Sequence, residues 1–257
     1  MRVIFVEEKT AKKENLTVKT MAIIEYMSME CRRMPLQLIA EGVGVSSATA
    51  HRILTSLKEM GYVDQLENKD YYLTFKLLST SGRIVERDRY MEQMLPYLNY
   101  FALTTPCGIS LTAFSEDACI NLMSVGKNIK FRSQLVVPGT AHPCHCTAAG
   151  KLFLAMMSDE ELEGWLSRNR LLPFTDRTII YPEKLREEIR RTRERGYGIS
   201  DGEYAESIAI LALPVPIIRG GQHTAINFSM NRNEFDQINN PEFIRSVKTM
   251  ISEKKLS

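Results

Sequence analysis

The stretch that most limits the fold of this 257-residue chain is "VSSATAHRILTSLKEMGYV", from Val45 to Val63. Ala50, Ile53, Leu54, Leu57 and Met60 recur at the spacing of one face of an α-helix. Ser46 stands where an N-cap belongs and Gly61 where a helix would stop. The opposite face carries Ser47, Thr49, His51, Arg52, Thr55 and Ser56, which are polar, mostly short and free of acids. Before it, Pro35 suits the first turn of a shorter helix, "LQLIAEGV", that Gly42 and Gly44 end. An earlier apolar helical face runs through Val18, Met21, Ala22, Ile24 and Tyr26 to Met29. After it, "YVDQLENKDYYLTF" reads as two short strands around a polar turn at Glu67 to Asp70. Helices followed by a hairpin describe a winged helix-turn-helix domain over residues 16–76.

Short polar side chains on a capped helix can approach base edges in the major groove. Ser46, Ser47, Thr49, His51 and Arg52 occupy the N-terminal half of that helix, whose first amides also favour a phosphate. Arg52, Lys58 and the hairpin residue Lys69 are placed for contacts to the DNA backbone. Taken alone, such a face is more often merely solvated. The preceding helix, the tight turn and the following hairpin move the reading toward double-stranded operator DNA. The formal net charge is only +2, so DNA contact has to come from this local patch and not from the field of the whole chain. One module reads few bases, which calls for a dimer.

From Phe75 to Thr105 the pattern gives one helix, a break and another, with Pro96 interrupting it or opening a turn. Residues 77–100 are read as a helical linker and 101–257 as a second domain. From Ile109 the apolar period becomes two. "ISLTAF" and "CINLMSV" alternate as a hairpin, and "KFRSQLVV" makes a further strand. Ala148 to Met157 reads as a helix, and Ser158 with Glu161 forms a capping box for the next. "PEKLREEIRRTRERGYG" is a charged helix stopped at Gly196, its mixed charges reading as a solvated face. "SIAILALPVPII" carries the prolines of an edge strand or a strand end. A turn "RGG", a partner strand "HTAINFSM" and a closing helix "PEFIRSVKTMISEKK" complete an α+β chain.

The stretch "HPCHCTAAGKLFLA" from His142 admits several chemistries. His142, Cys144, His145 and Cys146 are donors that zinc accepts, but structural sites use spaced pairs that converge, and no second pair is evident. A catalytic cysteine needs a base, an orienting group and an oxyanion hole, which adjacency in sequence does not supply. Cys144 and Cys146 also suit small buried apolar positions. The pocket reading covers more of the stretch: the small residues of "TAAGK" let a ligand approach the amides of a helix N-terminus, which favours a carboxylate. His145 serves equally well as a ligand contact or as a loop anchor. The five cysteines are an odd number with no secretory signal before them, which points to a reduced, cytoplasmic protein with free thiols. No apolar run approaches the length of a bilayer span, and no cofactor is expected.

"PLQLIAEGVGVSSATAHRILTSLKEMGYV" resembles the helix-turn-helix of the IclR family of bacterial transcriptional regulators, with Thr49, His51, Arg52, Ile53 and Leu54 matching and Ala48 replacing the usual Ser. "PCHCTAAGKLFLA" is similar to that family's Pro-x-His-x-Thr/Ser-x-x-Gly-Lys segment, and "RERGYGISDGEYAESIAILALPV" to its Gly-Tyr segment. The resemblance runs from Leu16 to the end of the chain. It implies a GAF-like α/β effector-binding domain after the linker, and a homodimer or dimer of dimers. By position it makes Thr147, Ala148 and Ala149 the amide floor of an effector pocket. Ser200, Ile208 and Ile210 fall on one wall, and Asn227 and Ser229 opposite. Asn227 and Ser229 are two apart on a strand, so they share a face independently of the resemblance. Some family members carry an acid at the position of Ser200 and a Cys at that of Ile210; His142 and Gln134 stand where others are apolar. These departures favour a hydroxylated carboxylate such as a sugar acid. The expected function is repression of a catabolic operon under such an effector, with a metal-binding or Cys/His enzyme module in the second domain as the alternative.

Overall fold

The computed structural model describes residues 15–115, 117–126, 137–216 and 221–252. The chain divides into two compact units between Ile84 and Val85.

In the first unit, helices α1 (Leu16–Glu30), α2 (Leu36–Val43) and α3 (Ser47–Glu59) are followed by a hairpin of β1 (Val63–Gln65) and β2 (Tyr71–Leu73). Ile23 and Met27 of α1, Ile39 and Ala40 of α2, and Ala50, Ile53, Leu54 and Leu57 of α3 are buried together with Val63 and Tyr71. The buried side of α1 is therefore turned from the one expected: Val18 and Met21 are exposed. Met60 is also exposed, because α3 ends there and Gly61 turns the chain with φ +77°. Gly44 closes α2 in the left-handed region at φ +72°, where a side chain is strained, and so makes the tight turn into α3. A bridge from Met34 to Tyr71 ties the segment before α2 to the hairpin.

Helix α4 (Lys76–Arg87) has no buried residue, whereas α5 (Arg89–Thr104) buries Tyr90, Met91, Met94, Tyr97, Leu98 and Phe101 in the core of the second unit. The break between them is at Asp88, which caps α5, and α5 runs straight through Pro96. Of the stretch read as a linker, only α4 lacks a core of its own.

The second unit is built on a six-stranded antiparallel sheet. Its strands are β3 (Gly108–Ser115), β4 (Ala118–Val125), β5 (Ala141–Pro143), β6 (Gly198–Asp201), β7 (Ile208–Pro214) and β8 (Thr224–Asn231), in the order β5-β4-β3-β8-β7-β6. Strand β7 is interior, and Pro214 ends it, so the edge alternative fails. The strand expected at "KFRSQLVV" falls almost wholly on residues 127–136, outside the described residues, as do Gln134 and most of the "RGG" turn. Strands β5 and β6 and a 3₁₀ segment at Arg232–Gln237 were not foreseen.

The period-2 alternation of strands divides the sheet. Ile109, Leu111, Ala209, Leu211, Leu213, Ile226, Phe228 and Met230 lie on one core with α5 and α9 (Pro241–Ser252). Cys119, Ala212 and Ala225 lie on another with α6 (Ala148–Met156), α7 (Asp159–Arg168) and α8 (Pro182–Arg195). Trp165 belongs to that second core. Thr147 caps α6, Ser158 and Glu161 make both bonds of the capping box on α7, and Gly196 ends α8 at φ +70°. Among the described residues, no helix is long and apolar enough to cross a membrane.

Candidate DNA-reading face and ligand cavity

On α3, burial of Ala50, Ile53, Leu54 and Leu57 leaves Ser47, Ala48, His51 and Arg52 exposed on the other side. Ser46 and Thr49 are engaged with each other: the Ser46 hydroxyl accepts from the Thr49 amide at 3.3 Å and lies 2.9 Å from the Thr49 hydroxyl. Their oxygens thus set the start of the helix. Thr55 and Ser56 donate to the carbonyls of His51 and Arg52. This leaves Ser47, His51 and Arg52 as the outward side chains of the first two turns. Lys69 sits at the hairpin tip, exposed, at φ +68°, in a turn held by the Asn68 side chain and the Asp70 amide. Lys58 lies 3.8 Å from Asp64, which offsets part of its charge.

In the second unit, Thr147, Ala148, Ala149, Ile208, Ile210, Asn227 and Ser229 line one cavity of about 60 Å³. Ser110, Thr112, Cys119, Asn121, His142 and Tyr204 complete its lining. The geometry follows from register. Ser110 pairs with Asn227 across β3 and β8, and Ile210 with Ser229 across β7 and β8. These residues alternate with the apolar ones of the opposite core, so the sheet turns a polar face toward α6. The signal in Ser110 and Thr112, two polar residues alternating with Ile109, Leu111 and Ala113, is the same one that marks Asn227 and Ser229 as a shared strand face.

The lining polar groups are ordered among themselves. Asn227 Nδ2 donates to Thr112 Oγ1 at 2.7 Å and lies 3.3 Å from Ser110 Oγ, and Ser229 Oγ donates to the Gly108 carbonyl at 3.0 Å. Thr147 Oγ1 donates to the Pro143 carbonyl at 2.8 Å and accepts from the Gly150 amide at 3.3 Å. The amides of Ala148 and Ala149 belong to the first turn of α6, where no intrahelical acceptor exists. Burial, with the nearby Cys146, raises the Tyr204 phenol above its ordinary value, so it presents an O–H. Among the described residues, the lining contains no lysine, arginine, aspartate or glutamate. A shallower groove on α9, lined by Glu242, Arg245, Ser246, Thr249 and Met250, has no such convergence of buried polar groups.

Ser200 and His145 are not among the cavity-lining residues. Ser200 Oγ donates to the Cys146 carbonyl at 2.8 Å, and His145 Nε2 donates to the Leu172 carbonyl at 3.0 Å. Both fix the turn that delivers α6. A carbonyl only accepts, so His145 carries its proton on Nε2 when neutral. Burial holds its pKa below the ordinary 6.5, outweighing the Leu172 bond, with Lys151 adding to the lowering. In the unfolded chain His145 takes its proton near 6.5, above its folded value. Stability is therefore complete above that pH and falls as pH drops through the window beneath it. We expect the melting temperature to decline on acidification from pH 7 to 5 and His145→Gln to flatten part of that decline. Parallel wild-type and variant curves would remove His145 from the account.

The metal reading finds no donor set: among the described residues, no group of three or more His, Cys, Asp or Glu could hold a metal ion. Beneath α6 lies a charged cluster that the sequence reading missed. Lys151, 1% exposed, bonds Glu203 at 2.5 Å and lies 3.5 Å from Glu188, which pairs with Arg195 at 2.7 Å. Glu188 and Arg195 come from the run read as a solvated face; most of its other charges, including the Glu187–Arg191 and Arg190–Glu194 pairs, are exposed and fit that description.

A capped helix with a free polar face beside a wing, and a second unit holding a polar cavity, define a two-domain DNA-binding regulator. The family model for the IclR helix-turn-helix domain matches residues 17–67, and that for the bacterial transcriptional regulator IclR C-terminal matches residues 82–253. The chain belongs to the IclR family of bacterial transcriptional regulators. It is similar to the HTH-type transcriptional regulator KdgR of Dickeya chrysanthemi, 26% identical over 235 residues that span 90% of this chain and 76% of that protein. It is also similar to the transcriptional repressor IclR of Escherichia coli K12, 24% identical over 206 residues, or 79% of this chain and 74% of that one. Its fold matches the structure of an IclR homolog from Microbacterium hydrocarbonoxydans complexed with 4-hydroxybenzoate. The TM-score is 0.70 at 18% identity, covering 93% and 98% of the two chains.

Proposed function

We propose that this regulator represses a catabolic operon and is released by a small hydroxylated carboxylic acid bound in the cavity of the second unit. The observation that carries the reading is the lining: Ser110, Thr112, Asn121, Asn227 and Ser229 face the N-terminus of α6 with no charged acid or base among them. The helix terminus is then the group that favours an anion, and the hydroxyls and amides match a polyol chain. The volume of about 60 Å³ is below the roughly 300–1,000 Å³ of most ligand pockets, which favours a compact acid over a bulky one. Repressors among the relatives, alongside one activator, support the sign.

On the DNA side, Ser47, His51 and Arg52 are assigned to base edges, Ser46 and Thr49 to the helix start, and Lys69 to the phosphate backbone. The homodimer, or dimer of dimers, rests on the need for two half-sites. It is supported by the large exposed apolar residues Phe75, Leu78 and Ile84 in and beside α4. Substituting Arg52→Ala should weaken specific binding about 10- to 100-fold, or about 1–3 kcal/mol, if Arg52 reads a base. Its exposure means the melting temperature should hold.

The test is to incubate the protein with sheared genomic DNA at two salt concentrations and sequence what is retained. Sharp sites surviving the higher salt, lost with Arg52→Ala, establish specific reading. Release from those sites is then titrated with sugar acids, short hydroxy acids and aromatic acids. Release by aromatic acids alone would overturn the assignment of the cavity.

A further inference from the structure

We propose that Cys119 and Cys144 form a thiol–disulfide site in the cavity wall, closed reversibly by a small hydroperoxide. The two sulfurs stand 3.7 Å apart, and both residues are buried, at 1% and 0% exposure. Cys119 comes from β4 and lines the cavity; Cys144 comes from the turn between β5 and α6. A disulfide needs the sulfurs at about 2.05 Å, so closure asks for side-chain rotation and a small approach of that turn to β4. Cys31 lies exposed in the other unit, and Cys107 sits in the opposite core.

The two thiols are unlike, and that sets the order of events. Cys119 faces the space a small molecule can enter, with the Thr147 hydroxyl 3.8 Å from its sulfur. Cys144 lies behind it and donates to the Asp117 carbonyl at 3.3 Å. Burial raises Cys144 well above its ordinary value, and the neighbouring Cys119 and Asp117 add to this, which keeps it a thiol until a partner sulfur is activated. The Cys119 sulfur attacks one oxygen of hydrogen peroxide. The O–O bond breaks, an S–OH bond forms, and the departing hydroxide takes the thiol proton to leave as water. The Cys144 sulfur then attacks the sulfenic sulfur. The S–S bond forms, the S–O bond breaks, and the hydroxyl leaves with the Cys144 proton as a second water. Two thiols and one peroxide give one disulfide and two waters; the sulfurs lose two electrons and the peroxide gains them.

The bond would tie β4 to the turn that carries Thr147, so oxidation reshapes the floor of the cavity. The chemistry needs only that a small oxidant enter the cavity, not that the cavity bind an acid.

The experiment uses reduced full-length protein treated with hydrogen peroxide, blocked with iodoacetamide, digested and sequenced by fragmentation. We expect one intramolecular Cys119–Cys144 link, two hydrogens lighter than the dithiol and reversed by dithiothreitol. Cys146→Ser should keep the link, and Cys144→Ser should leave a sulfenic acid on Cys119 that dimedone captures. Modification of Cys31 with Cys119 and Cys144 still thiols, or a link through Cys146 instead, overturns the proposal. The wild-type mapping does not depend on either variant folding. Failure of every acid to release DNA leaves the cross-link result standing; release by an acid without a cross-link removes this proposal alone.

Discussion

Replacing Lys151 with Met should destabilise the second unit by about 3–5 kcal/mol near neutral pH, the cost of leaving a buried charge without its partner. Lys151, on the buried side of α6, lies against Glu203, itself 7% exposed, and Glu188. Arg195 remains to hold Glu188, but among the described ion pairs Glu203 has Lys151 as its cation. The variant should therefore melt roughly 10 °C lower, by the usual relation for a unit of this size. The loss should also depend on pH in a stated direction. Burial raises Glu203 above the ordinary 4.5, although Lys151 opposes this. Below 4.5 the carboxyl is neutral folded or unfolded and needs no cation; as pH rises through its folded value, charge must be held in the interior and stability is lost. Removing Lys151 removes what offsets that loss. The gap between variant and wild type should be narrow near pH 4 and widest at neutrality. Adding Glu203→Leu to Lys151→Met should recover much of it, because an apolar pair of similar bulk asks for no compensation. A gap that is the same at every pH would mean that lost packing of the Lys151 stem, not the charge, accounts for the cost.

That cluster also marks where sequence reading stopped. The recognition helix was legible because its signals are local: a cap at Ser46, a stripe at Ala50, Ile53, Leu54 and Leu57, and a stop at Gly61. The cavity was legible in part for the same reason, since Asn227 and Ser229 announce a polar strand face without knowledge of the partner strand. Lys151 and Glu203 are 52 residues apart, and nothing in either neighbourhood names the other. The helix "PEKLREEIRRTRERGYG" carries a usable signal for part of the cluster. Leu185, Ile189 and Thr192 are its buried residues, and Glu188 and Arg195 fall at helical spacing beside them, so these two charges flank the buried face. Position in the family puts Ser200 on the cavity wall, and His145 suits a ligand contact or a loop anchor equally. They lie in the right segments but spend their donors on Cys146 and Leu172, a choice that only the packed turn determines. On α1 the apolar residues run nearly all round, and which of them are buried was settled by α2 and α3 rather than by α1 itself.

The cavity floor depends on a backbone approach that a single methyl group should spoil. A Cβ placed on Gly198 of β6 would stand 1.9 Å from the carbonyl oxygen of Ala148 and 2.8 Å from its carbon. Neither atom can rotate away, because both are main chain at the first turn of α6. Gly198→Ala must therefore push β6 and α6 apart. Overpacking of this kind costs typically 1–3 kcal/mol and more where backbone is struck, and here it also displaces Ala148 and Ala149. Gly82→Ala is the matched control: nothing lies within 4 Å of its Cβ on exposed α4, and there alanine should add up to about 1 kcal/mol. The first unit has its own core from Ile23 to Tyr71. Gly198→Ala should therefore lower the melting temperature of the second unit and blunt release by the effector, while Arg52-dependent retention of DNA survives at low temperature. Wild-type stability together with a wild-type response to the effector would mean that the contact of β6 with α6 does not set the floor. The position of Thr147, Ala148 and Ala149 would then have to come from the turn alone, through Gly150, whose own Cβ would strike Cys144 at 2.3 Å.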